Sequence, residues 1–355
     1  MIPINQGITS SVNLNLNLCL EVDCMKSLVW LGLLLTLFVY LARYVRAIQQ
    51  VPSAWELSHS SPPVFDAEQE DAKRYLIVHA DDAGMSHSVN RATVEGLERG
   101  VVSSASIMVP CPWFPEFAKY ARENPERDCG IHLTLNSEWS EYRWGPVTDR
   151  KQVPSLVDKD GFLWDNVRQV VANVKLAEAA TELRAQIQRA KDFGVPVTHL
   201  DPHMGAALSR PDLGKLYIEL AVENEIPVLF VRPTKENGLA EQYPDLIRIL
   251  PTLEERELPI LSALYQFYDD GPYEKRKQKY LDTIRQLPPG TSEIIIHCGF
   301  NDAELQAITG SVMIRDSDRR VFTDPEVRQA IDDAGIELST WKQFHQRQKK
   351  QMKKK

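Results

Sequence analysis

The sequence predicts an α/β fold, an irregular (β/α) barrel with parallel strands, preceded by an N-terminal apolar leader or anchor. Three observations carry that expectation. From Lys73 onward, a helix-like stretch repeatedly ends in a small or polar break and runs into an apolar β-type segment, as in VEGLERGVVSSASIMV, AKDFGVPVTHL, AVENEIPVLFV and AIDDAGIELST. Strands alternating with helices in this way build parallel sheets. Five apolar runs close in polar or ionisable residues: Asp81 and Asp82; His132; His199, Asp201 and His203; Arg232; and His297. A (β/α) barrel works at the C-terminal ends of its strands, whereas a doubly wound sheet gathers its chemistry near one switch point, so the spread favours the barrel. Ahead of all this stands one uncharged run, Leu28 to Ala42, closed by Arg43 and Arg46.

That run is short for a membrane span and right for a signal-peptide core or short signal anchor. Read from Met25 the chain begins MKSLVWLGLLL, which makes Met25 a candidate true start. Val45-Arg46-Ala47 is a poor cleavage site, so residues 1–48 are expected to be retained as a leader or membrane anchor. The protein is then membrane-anchored or exported, and cytoplasmic if the N-terminus as written is not the natural one. Residues 49–72 are polar, contain Pro52, Pro62 and Pro63, and read as a linker. Residues 73–345 form the expected catalytic domain and 346–355 a basic tail. The chain has 355 residues, 43% apolar and 25% charged, enough for a large globular domain. A net charge of -8, despite a tail that carries Arg347 and five lysines and no acid, argues against a nucleic-acid partner. The five cysteines are scattered and form no C-x-x-C pair, which excludes a disulfide scaffold.

The first strand of the domain, YLIVHADDAG from Tyr75 to Gly84, delivers two adjacent carboxylates to a turn. Successive side chains on a strand face opposite ways, so Asp81 and Asp82 cannot share one task unless the chain bends between them. One is free to hold a metal while the other handles protons. His199 and His203 stand in H-x-x-x-H spacing and form a rival metal pair. Glu138 to Trp164, with three tryptophans among prolines and glycines, reads as an insertion that walls a pocket or caps the core. Trp113 to Phe117 reads as core or pocket wall. Cys298 beside His297 reads as a buried inert thiol, since nothing else supports a Cys-His nucleophile.

The segments Ala80-Asp81-Asp82-Ala83-Gly84, Gly130-Ile131-His132 and Thr198 to His203, followed by His297 after its apolar run, resemble the YdjC-like carbohydrate deacetylase family, the group that contains the chitooligosaccharide deacetylases. The likeness spans about Tyr75 to His345. It departs where the family commonly has an aromatic (Ala83), further histidines (Met204, Gly205) and a proline (Cys298), and the leader lies outside it. The resemblance implies that Asp82, His132 and His203 hold one divalent metal ion, Mg2+ by the family's habit, with Zn2+ or another transition metal as alternatives. It leaves His199 and Asp201 as second-layer or structural groups.

Asp81, close to the metal and not needed for it, is then the expected general base, and His297 the acid that protonates the leaving amine. Arg232 is expected to steady Asp81 or touch substrate, unless it is a surface arginine. The expected activity is metal-dependent removal of acetyl groups from N-acetylated amino sugars or oligosaccharides, an activated water attacking the amide carbon. A phosphoesterase on the same scaffold would call for several basic residues at the strand ends, where only Arg232 stands. A membrane-tethered, non-catalytic sugar-binding protein would not need an unbroken Asp-Asp-His-His set. A homodimer is compatible with the sequence.

Overall fold

The computed structural model describes residues 73–234, 237–242, 244–269 and 272–352. The leader, the apolar run from 28 to 42 and the linker lie outside the described residues. Among those described, no helix is long and apolar enough to cross a membrane.

Seven strands follow in chain order: β1 (Arg74–Ala83), β2 (Ser104–Ile107), β3 (Cys129–Leu133), β4 (Val197–Pro202), β5 (Ala263–Gln266), β6 (Gly290–Ile296) and β7 (Ile336–Leu338). They pair in the order β4-β3-β2-β1-β6-β5, with β7 beside the first half of β1, and every ladder is parallel. The outer strands do not end in open edges. The segment 227–232 bridges them: Leu229 N–H donates to Leu200 O of β4 at 2.8 Å, and Leu261 N–H, just before β5, donates to Phe230 O at 2.9 Å. The parallel sheet therefore curls into a barrel-like form, one side of which is made by single bridges instead of a regular strand.

Helices connect the strands because the sequence starts and stops them at suitable points. Ser86 caps the helix His87–Arg99 by accepting from Val89 N–H, and the helix ends at Gly100, where a Cβ would lie 2.2 Å from Phe322 O. Pro211 and Pro325 open two further helices, where a missing N–H costs no bond.

Along β1, Leu76, Val78 and Ala80 belong to the apolar core under the helices, while the alternate residues His79 and Asp81 carry the polar contacts. At the end where the strands begin, Trp341 stacks on His199 with centroids 5.4 Å apart, and Asp128 accepts from the N–H groups of Trp341 and Lys342. A plugged base leaves the opposite, C-terminal end of the strands as the place for chemistry.

Candidate active site

The end of β1 does bend. Its register against β2 slips between Ala80 and Ala83, and Asp82 takes φ +66°, a left-handed conformation that costs a non-glycine residue roughly 1–2 kcal/mol. Simple alternation would send the two carboxylates to opposite faces. The bulge turns both toward the same imidazole, with Asp81 Oδ2 3.7 Å and Asp82 Oδ1 3.4 Å from His132 Nε2. Gly84 completes the bend at φ +89°; its N–H donates to Asn90 Oδ1, and a Cβ there would meet the Phe114 backbone at 3.2 Å.

β3 supplies His132 and the end of β4 supplies His203, so that three donor atoms surround one point. Asp82 Oδ1 lies 3.4 Å from both His132 Nε2 and His203 Nδ1. Atoms bound about 2.0–2.2 Å from a common ion stand roughly 3.0–3.5 Å apart, so this spacing fits a first-row divalent cation. The other nitrogen of each ring is held by a carboxylate: His132 Nδ1 donates to Asp201 Oδ1 at 2.6 Å, and His203 Nε2 to Glu138 Oε2 at 3.0 Å. Carboxylate-braced imidazoles of this kind are how proteins aim histidines at metals. Asp82 Oδ1 is buried and accepts no hydrogen bond, an orphaned anionic atom at the centre of the set.

Two rival groupings lie beside this one: Asp81-His132-Asp201, which shares His132 with it, and His79-His199-Asp201, which shares none of its members. In both, Asp201 is already spent. Its Oδ2 accepts from His79 Nε2 at 2.8 Å and its Oδ1 from His132. The H-x-x-x-H pair does not converge either. His199 lies deeper, its ring against Trp341 and its edge toward His79 at 5.0 Å, and Gly130 is needed beside it because a Cβ would sit 2.5 Å from the His199 ring.

The electrostatics follow from burial set against charge. Burial would raise the Asp82 carboxyl, yet the Arg315 guanidinium and the two imidazoles hold it well below the usual range. Burial would lower His132, but Asp201 and Asp81 raise it well above its ordinary value. His203, opposed by burial, is pushed up to about 9 by Glu138 and Asp82. His297 is lowered by burial. The carboxylates of the site thus shift His132 and His203 toward their protonated forms, and a divalent cation would compete with those protons.

His297 follows β6, with Nε2 3.9 Å from Asp81 Oδ2 and the half-exposed Tyr268 ring 5.6 Å away. Cys298 is buried with its thiol pushed up by burial, which suits an inert role. In the insertion, Glu138 reaches the site, Trp144 is buried, and Trp113 is partly exposed while Phe114 and Phe117 are core.

Arg232 is a correction. It closes the irregular bridging segment, points outward and pairs with Glu254 at 3.2 Å, with both side chains about half exposed. The guanidinium at the site comes from Arg315, on the helix Val312–Phe322, whose Nη2 donates to Asp82 Oδ2 at 2.6 Å. Arg315, Glu138 and His79 escaped sequence reasoning. The first two sit in a helix and a loop with no motif around them, while His79, two residues before Asp81 on the same face of β1, had a legible signal.

Comparison with known proteins gives a consistent result. Residues 75–333 match the family described as YdjC-like protein. A carbohydrate deacetylase of Thermus thermophilus is 33% identical over 271 residues, covering 76% of this chain and 93% of the relative. A chitooligosaccharide deacetylase of Yersinia enterocolitica is 27% identical, covering 76% and 98%. A crystal structure from Enterococcus faecalis V583, described as a candidate cellobiose-phosphate cleavage protein, superposes with a TM-score of 0.65 at 29% identity, covering 76% of this chain and 98% of that one.

Proposed function

Since the chain belongs to the YdjC-like family, we propose that it is a metal-dependent hydrolase that removes the acetyl group from an N-acetylated amino sugar or oligosaccharide. The observation that carries this reading is the orphaned Asp82 Oδ1 between two carboxylate-braced imidazoles, with a second carboxylate and a third imidazole alongside. The names of the relatives, carbohydrate deacetylase and chitooligosaccharide deacetylase, support the substrate class.

Asp82, His132 and His203 would hold the ion. Two nitrogens and one carboxylate suit Zn2+ or another first-row transition ion better than Mg2+, which prefers oxygen donors. A divalent ion there supplies Lewis acidity, lowering the pKa of water and polarising the amide carbonyl. Asp81, with Oδ2 facing His132 and His297, takes the proton of the attacking water. His297, which burial shifts toward its neutral form and whose Nε2 stands 3.9 Å from Asp81 Oδ2, is placed to relay that proton through a water to the amine nitrogen as the C–N bond breaks, so acetate and the free amino sugar leave with the proton accounted for. Tyr268 beside His297, and Trp139 under the Arg315 guanidinium at 5.8 Å, provide aromatic faces for sugar rings. The apolar run from 28 to 42 is proposed to tether this domain to a membrane, and cell fractionation tests that.

The test of function is acetate release from a panel of N-acetylated mono- and oligosaccharides, before and after chelation, then with Zn2+, Mn2+ or Mg2+ restored. Release that stops on chelation and returns with a metal is expected. No release from any member of the panel by metal-loaded protein, or undiminished release after metal is removed, overturns the reading.

A further inference from the structure

We propose that His79 is a positioning residue that locks the base Asp81 and the imidazole of His132 into one rigid frame. The frame is a chain of contacts inside the barrel. His79 Nε2 stands 2.8 Å from Asp201 Oδ2 and 3.1 Å from Asp81 Oδ1, and Asp201 Oδ1 in turn holds His132 Nδ1 at 2.6 Å. One nitrogen thus faces both carboxylates. Its N–H is directed at Asp201, which leaves Asp81 Oδ1 without a hydrogen bond and held by charge alone. On its other side, His79 Nδ1 meets Ser104 Oγ at 3.0 Å and lies 3.6 Å from Glu293 Oε1, so the ring cannot rotate without losing a buried partner. Every member except Ser104 is ionisable, and all are buried.

The arrangement gives His79 two jobs. Burial disfavours a charged ring, but hydrogen bonding and charge from Asp201 and Asp81 outweigh it and raise His79 well above its ordinary value. The ring at this position, 3.1 Å from Asp81 Oδ1, fixes the direction of that carboxylate's second oxygen. Through Asp201 the same ring sets the tilt of His132, whose Nε2 faces Asp82. The part concerning Asp81 rests on the deacetylase reading; the part concerning His132 rests only on a metal being bound.

Three substitutions separate these jobs from packing. His79→Leu removes the donor, His79→Asn keeps a donor too short to reach Nε2's place, and His79→Gln puts an amide N–H near that place. Zn2+ affinity is titrated on the metal-free proteins, and kcat and KM are measured on the loaded ones. For Leu and Asn we expect Zn2+ affinity weakened about 10–100-fold and kcat lowered by a similar factor with KM within about twofold. His79→Gln should recover most of both losses. If Leu does not fold, the Asn and Gln pair still decides. Equal Zn2+ affinity in all folded variants, or Gln as impaired as Asn, overturns the proposal. A wild-type protein that binds Zn2+ and shows the affinity pattern but hydrolyses no acetylated sugar would sink the deacetylase reading and leave the frame standing.

Discussion

Arg315 Nη2 donates to Asp82 Oδ2 at 2.6 Å, joining residues 233 positions apart in sequence, and both side chains are nearly sealed from water at 7% and 3% exposure. That bond occupies one oxygen of Asp82 and leaves the other aimed at His132 and His203. It also offsets a buried carboxylate in the metal-free protein.

Arg315→Met should therefore destabilise the metal-free protein by about 3–5 kcal/mol, the usual result of stripping one partner from a buried ion pair. The deficit should shrink when Zn2+ is added, since the ion restores positive charge beside Asp82. Its pH dependence has a definite sign. A carboxyl held below its ordinary 3.8 stabilises the fold above that value, and the contribution fades as pH falls below it. Thermal melts of both proteins carried from pH 7 down to about pH 2 should run parallel above 3.8 and draw together below it. Curves that stay parallel below pH 3.8 would mean that Asp82 is not what Arg315 holds.

Glu293 gives a second pH test of opposite sign. It is completely buried on β6, both carboxylate oxygens lack hydrogen bonds, and burial pushes it up to about 8 despite the nearby His79. A carboxyl raised above its ordinary 4.5 contributes most below that pH, and the contribution is lost as pH climbs toward 8. Glu293→Gln should thus gain in Tm relative to wild type as pH rises from 4.5 to 8. A constant Tm difference across that range would show that Glu293 does not change its proton on unfolding.

Much of the site was legible because the chemistry of a barrel collects at strand ends. Asp81, Asp82, His132, Asp201, His203 and His297 lie within one constellation, and all close apolar runs in the sequence. Arg232 closes such a run too, yet points away, because 227–232 pairs through single bridges and never commits its side chains to a strand's alternation. Arg315 was hidden for the converse reason: on a helix, one arginine among Asp316, Asp318 and Arg319 reads as solvated surface until the fold turns it inward. The Asp82 bend was hidden as well. Positive φ is signalled by glycine, and here the glycine comes two residues later at Gly84.

Gly130 is legible only in part, as a glycine two residues before His132. Its role is space for His199, whose ring atoms would lie 2.5–2.6 Å from an added Cβ. Gly130→Ala should cost about 1–3 kcal/mol by overpacking, read as a lower denaturation midpoint. Pairing it with His199→Ser should recover part of that loss, since the clash partner is removed. A double variant no more stable than Gly130→Ala alone would show that backbone freedom, not His199, demands the glycine.

Asp81 and Asp82 provide the sharpest test, because they are neighbours of one type that the bulge brings to one site. Asp82 Oδ1 is equidistant from His132 and His203, so Asp82→Ala removes the sole carboxylate of the proposed ligand set, and bound metal and turnover should fall together. Asp81 stands farther from His132, at 3.7 Å, and is the carboxylate beside His297 and His79. Asp81→Asn should keep the metal and lose ~10²–10⁴ in kcat, the worth of a positioned base. Metal content and rate, measured on each purified variant, decide the assignment. Metal lost from Asp81→Asn and kept by Asp82→Ala would exchange the roles. Full activity in both would mean that this bend, strained though it is, serves only to turn the chain.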